Sequence, residues 1–196
     1  MKQEQQQESF GDAKAGMNFF LLLITGCAST IQLFLRRPGT CGVKYFGGQA
    51  FVGWIFAGLY PAFWERTPGL EAQFAFFLLM IPMLAIHQSA ARRSRKQGQR
   101  IHSYFIGRSI FQFQPGEKAA KRARGLEFMV CVLGGMLICP FSQSLGTYLI
   151  LAAFASSLQD SLVAERDRRR IEAMEDALID QEYYAQQLKE RWEDRT

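Results

Sequence analysis

Charge is missing from four long stretches of this chain. The runs Met17–Leu35, Tyr45–Trp64, Ala72–Ala91 and Phe128–Gln159 contain no Asp, Glu, Lys or Arg, and together they hold 91 of the 196 residues. An apolar segment of about 18 residues is long enough to cross the hydrocarbon core of a bilayer, and a soluble domain of this size rarely carries four. The averages conceal this, because 48% hydrophobic residues, 21% charged residues and a mean hydropathy of −0.06 would suit an ordinary soluble protein. Histidine is scarce as well: His87 and His102 alone cannot build a three-histidine metal site. The four cysteines include no CxxC pair and no Cys/His cluster at zinc spacing, so they read as small buried hydrophobes. Neither a HExxH pair nor a GxSxG nucleophile elbow is present. These absences argue against a disordered chain, a disulfide-rich secreted scaffold and a soluble nucleic-acid-binding domain. No cofactor, metal site or catalytic residue is expected, and the chain reads as a non-enzyme.

The first three runs each predict one helix. Breakers separate them, Arg36-Arg37-Pro38-Gly39 after the first and Arg66-Thr67-Pro68-Gly69 after the second. The fourth run is too long for one crossing: 32 helical residues would measure about 48 Å against a core of about 30 Å. Pro140, followed by Ser142-Gln143-Ser144, divides it into a hairpin with one helix ending near Cys139 and the next beginning near Ser144. The first arm is short, so the hairpin either spans by borrowing Gly125–Glu127 or is re-entrant. The expected fold class is therefore an all-α integral membrane protein with five transmembrane helices, the last two a proline-broken hairpin. The expected divisions are a short extracytoplasmic tail (1–16), a three-helix transmembrane region (17–90), a basic cytosolic loop (91–124), the hairpin (125–159) and a cytosolic amphipathic helix (160–196).

Orientation follows from the placement of Lys and Arg, which accumulate on the cytosolic side of membrane proteins. With the N-terminus outside, 20 of the 23 Lys and Arg fall on the cytosolic side, leaving Lys2, Lys14 and Arg66 outside. The C-terminus is then cytosolic, in a bacterial inner membrane or a plasma membrane. The pentapeptide Leu23-Ile24-Thr25-Gly26-Cys27 resembles a bacterial lipobox, which would imply a lipidated cysteine. The preceding segment is net acidic and the apolar run continues past Cys27, so the expectation is an uncleaved first helix.

Segment 91–124 carries ten basic residues and one acid, Glu117. Its aromatic and β-branched middle, Ile101–Phe113, predicts a compact element lying on the membrane surface. Arg92, Arg93, Arg95, Lys96, Arg100 and Arg108 are candidates for contact with anionic lipid headgroups or a partner. Each Lys or Arg beside an anionic leaflet contributes about 1 kcal/mol. Nucleic acid is the weakest of the readings, because aromatics beside a membrane present the same pattern.

From Thr147 to the C-terminus there is neither Gly nor Pro, which predicts one long helix. A 3-4 spacing at Ile171, Met174, Leu178, Leu188 and Trp192 gives its outer part an apolar stripe suited to a protein partner or to self-association. The charge-bearing or polar residues nearest the spans, His87, Glu127, Tyr148 and Asp160, form a candidate polar path. The pairs Gly53/Ala57 and Gly134/Gly135 are candidates for close helix packing. The functional expectation is a non-enzymatic polytopic subunit of a larger membrane assembly, of a transport or secretion kind. It would engage partners through its basic loop and C-terminal helix. The alternative is a small channel or carrier using the polar path.

Overall fold

The computed structural model describes residues 2–42, 45–64, 69–98 and 107–193. It is all-α: α1 (Lys2–Leu35), α2 (Gly48–Leu59), α3 (Leu70–Lys96), α4 (Glu117–Ile138) and α5 (Gln143–Glu193). A single 3-10 turn, Tyr60–Phe63, extends α2. Among the described residues there is no strand, only an isolated antiparallel bridge between Arg36 and Ser109. The chain forms two compact units, residues 1–159 and 160–196.

Among the described residues, three helices are long and apolar enough to cross a membrane: α1 over Lys14–Leu35, α3, and α5 over Gln143–Lys189. The sequence predicts five such helices, and the difference has two local causes. Pro61 converts the end of α2 into a 3-10 turn, leaving a shorter apolar helix over Ala50–Phe63. α4 begins at Glu117 and takes in the basic residues Lys118, Lys121, Arg122 and Arg124. The helix start at Pro115-Gly116-Glu117 and the hairpin turn at Pro140 lie where the sequence predicts them. α1 starts earlier than expected, so residues 2–16 continue the first helix.

In the first unit, the C-terminal half of α1 occupies the centre. Residues 26–33 are buried without a break, so this half-helix is covered all round. Small side chains make that possible. Gly26 faces Gly53 of α2, where an added Cβ on Gly53 would collide with the Gly26 carbonyl oxygen. The hydroxyls of this segment are satisfied within the helix, Ser29 donating to the Gly26 carbonyl and Thr30 to that of Cys27, both at 2.7 Å. α3 buries only a narrow stripe, Gln73, Met80, His87 and Ala91, while Phe74, Leu78, Leu79, Ile81 and Ile86 remain exposed. α4 turns Ala123, Glu127, Cys131 and Gly135 inward at a spacing of four.

The glycines expected to pack helices divide. Gly53 and the fully buried Ala57 lie at close contacts. Gly135 lies against Gly146 across the hairpin, where an added Cβ would stand 2.8 Å from the Gly146 carbonyl. Gly134, one residue further round the helix, has none of the described atoms within 4 Å of where a Cβ would be.

The connectors meet in two groups. At one end of the first unit, the Ile110 amide donates to the Leu35 carbonyl and the Arg37 amide to the Arg108 carbonyl, both at 2.9 Å. The Arg108 amide donates to the Thr40 hydroxyl at 3.0 Å. At the opposite end, Ser142 at the start of α5 donates through its hydroxyl to the Gly69 carbonyl at 2.7 Å. Gly69 holds a left-handed φ of +87°, and a Cβ there would strike the Phe141 carbonyl, so both backbone and space demand glycine.

Candidate functional site

Most of the buried polar groups of the first unit gather at the end where α1 stops. Gln32, fully buried on α1, is the hub. Its amide nitrogen donates to the Ser156 hydroxyl at 2.9 Å and to the Gln159 carbonyl oxygen at 3.3 Å, both on α5. Its own carbonyl oxygen accepts from the Tyr45 hydroxyl, in the connector before α2. Gln159 closes the ring by donating to the Tyr45 oxygen at 3.1 Å. Two glutamines, a tyrosine and a serine from three parts of the chain thus satisfy one another, as burial requires.

One turn beyond Gln32, Arg36 pairs with Glu127 of α4 at 3.1 Å, with side chains only 2% and 5% exposed. Truncating one partner of such a buried pair leaves an uncompensated charge, at a cost of about 3–5 kcal/mol. Arg37, the next residue, is exposed and donates to the Ile110 carbonyl at 3.4 Å.

His87 has a more specific task than a polar path requires. The last carbonyls of a helix lack intrahelical partners. At the end of α1, the Arg37 amide that would serve the Leu33 carbonyl is taken by Arg108. The His87 ring lies 2.8 Å from that carbonyl through Nε2, which must therefore carry the proton, and it packs edge-on against Phe46 at 4.9 Å. The same logic recurs at α2. Pro61 has no N–H to offer the Ala57 carbonyl, and buried Gln73 of α3 supplies the missing donor at 2.9 Å.

Of the other candidate path residues, Tyr148 is fully buried on α5 and shares a 2.9 Å hydrogen bond with Thr30, its ring against Phe56, Tyr60 and Phe76. Asp160 is buried at the first position of the second unit. His87, Glu127 and Tyr148 are thus each engaged by a different partner: a helix-end carbonyl, an arginine and a threonine. Sequence reasoning missed Gln32, Arg36, Tyr45, Ser156 and Gln159. The available signal was weak: four amides or hydroxyls inside charge-free runs, and one of two adjacent arginines.

Outside the membrane-length segments, Cys41 is buried, and burial pushes its thiol up to about 11. The Arg36 charge and a hydrogen bond with Thr40 offset that rise only in part. Among the described residues no three His, Cys, Asp or Glu converge as metal ligands. In the basic loop, Arg92, Arg93, Arg95 and Lys96 are exposed on the last turns of α3. Arg108 is exposed but pinned through its backbone, while Arg100 and segment 101–106 lie outside the described residues. In the second unit Ile171, Met174, Leu178, Leu188 and Trp192 are all exposed on α5. No protein-family model, curated protein or solved structure matches this chain.

Proposed function

We propose that this chain is a non-catalytic, membrane-embedded subunit that uses the outer part of α5 to bind a protein partner or a second copy of itself. One observation carries the reading. From Ala164 to Trp192 every residue whose burial is described is exposed, and that stretch repeats Ile171, Met174, Leu178, Leu188 and Trp192 at helical spacing. An apolar stripe on a helix with no cover of its own is the pattern of an association surface. Its setting in a larger assembly of a transport or secretion kind belongs to the same proposal.

Membrane embedding with five passes, the N-terminus outside and the C-terminus cytosolic, is supported by three features. α1, α3 and α5 have the necessary length and composition. α3 and α4 expose Leu78, Leu79, Ile81, Leu133, Met136 and Leu137 in numbers that water would not tolerate. The connectors assigned to the cytosolic side, 35–41 and 107–110, meet one another, as do Gly69 and Ser142, assigned to the outside. Reporter fusions ending at Trp64 and Pro115 test the topology, with the first expected outside and the second in the cytosol.

The partner reading is tested on the full chain in mild detergent, by native size and by capture from solubilised membranes. Wild-type chain is expected in a larger species, and the Ile171→Asp/Leu178→Asp/Leu188→Asp variant as a folded monomer. A monomeric wild type that captures nothing overturns the reading. A small channel or carrier is the second reading, favoured by the buried Arg36–Glu127 pair at one end of the bundle. It requires flux through proteoliposomes that Glu127→Gln abolishes.

A further inference from the structure

Along α3, one exposed face changes character in a fixed order. Phe74, Leu78, Ile81 and Ala85 follow one another at spacings of four, three and four, the first three largely exposed. The same face continues through Gln88 and Ser89 to Arg92, Arg93 and Lys96. There an open groove of about 380 Å³ runs along the helix surface, lined by Ala85, Gln88, Ser89, Arg92, Arg93 and Lys96. Among the described residues no carboxylate pairs with Arg92, Arg93 or Lys96. Among the described residues the three cations are thus uncompensated, and they share one groove with two neutral hydrogen-bonding side chains.

We infer that this face is a seat for an anionic phospholipid of the cytosolic leaflet, its phosphate held in the recess and an acyl chain lying along the apolar stripe. The inference rests on the membrane reading above. The dimensions agree: Phe74 to Ala85 spans about 16 Å of helix, close to the about 15 Å depth of one leaflet's hydrocarbon. The charge agrees as well, since Lys and Arg just beyond the cytosolic end of a spanning helix attract anionic headgroups, at about 1 kcal/mol each. A free phosphate would use the recess but not the stripe, so the continuity of the two favours a lipid. The recess also separates a seat from the diffuse attraction that any basic surface exerts, because filling it with an uncharged side chain leaves the charge unchanged.

The test uses full-length chain in phosphatidylcholine nanodiscs, with spin-labelled phosphatidylglycerol compared with spin-labelled phosphatidylcholine in the motionally restricted fraction. Wild type is expected to favour phosphatidylglycerol by on the order of tenfold. Arg92→Gln/Arg93→Gln/Lys96→Gln and Ser89→Trp should each reduce that preference to near unity, whereas Arg168→Gln/Arg169→Gln/Arg170→Gln should keep it. Equal restriction of both lipids by wild type overturns the seat. So does a Ser89→Trp variant that keeps the full preference, which would mean diffuse attraction alone. Displacement of the lipid by inorganic phosphate, but not by chloride at equal ionic strength, would reassign the recess to a soluble anion and also overturn the proposal. A chain that stays in the aqueous phase and never enters the nanodisc overturns the membrane reading itself, by a different readout.

Discussion

α5 is one helix with two contrasting stretches. Between Leu145 and Gln159 it turns Leu145, Tyr148, Ala152, Ala153, Ser156 and Gln159 into the first unit, where its polar groups have named partners on α1 and in the connector before α2. From Ala164 to Trp192 it is exposed wherever its burial is described, and the ion pairs Glu165–Arg169 and Arg168–Glu172, both at 2.9 Å, lie on its own surface. Identical chemistry therefore has unequal weight. A polar group sealed among other helices leaves a partner stranded when it is removed. One on an open helix face is replaced by water.

The sharpest way to break this comparison is at Glu127. Replacing it with Ala removes the carboxylate that Arg36 meets at 3.1 Å in the interior, and thermal unfolding in detergent should show a loss of about 3–5 kcal/mol. Replacing both partners, Arg36→Met with Glu127→Leu, should recover most of it. If the single variant is as stable as wild type, the pair is not sealed.

Cys41 provides a chemical version of the same contrast. With its thiol raised to about 11 by burial, it should alkylate at pH 8 on the order of a hundredfold more slowly than a cysteine placed at exposed Leu178. The sign follows from the direction of the shift. The folded state holds the proton more tightly, so its contribution to stability is complete below pH 9 and declines as the pH rises toward 11. Equal alkylation rates for the two sites would show that Cys41 is open to solvent.

Smaller effects separate neighbours on one helix. Gly135→Ala should destabilise by about 1–3 kcal/mol because it meets the Gly146 carbonyl, whereas Gly134→Ala faces open space and should stabilise by up to about 1 kcal/mol through helix propensity. Melting curves of opposite sign are the expected outcome. His87→Phe keeps the ring contact with Phe46 but withdraws the donor from the Leu33 carbonyl, at a cost of about 1–2 kcal/mol. Least of all, Arg169→Gln in the outer part of α5 should change stability by only a few tenths of a kcal/mol. A larger loss there would mean that the exposed helix is covered in its working state.

The helices and the break at Pro140 were legible because each depends on local sequence. Runs without charge give length, and Pro140 followed by Ser142-Gln143-Ser144 cuts the longest of them. The buried cluster was not legible in the same way. Gln32 and Gln159 lie 127 positions apart, and nothing in either neighbourhood names the other. Arg36 and Arg37 are adjacent and identical in type, yet one is sealed against Glu127 and the other donates to a carbonyl at the surface. The cost of ionisable groups near the spans brings His87 and Glu127 to notice, but only packing shows that the first meets the Leu33 carbonyl and the second Arg36.

By itself, the sequence determined an all-helical chain, the positions where its helices are cut, and the segregation of charge into a basic loop and a mixed, net acidic end. These follow from backbone hydrogen bonding, proline's missing N–H and the cost of burying charge, and no neighbour is needed to apply them. Only the tertiary structure decided which polar groups are paired, which of two glycines touches another helix, and which helix-end carbonyl a histidine must serve. Those outcomes depend on distances between segments far apart in the chain, and a side chain's value in a low-dielectric interior is set by whatever lies within about 3 Å of it.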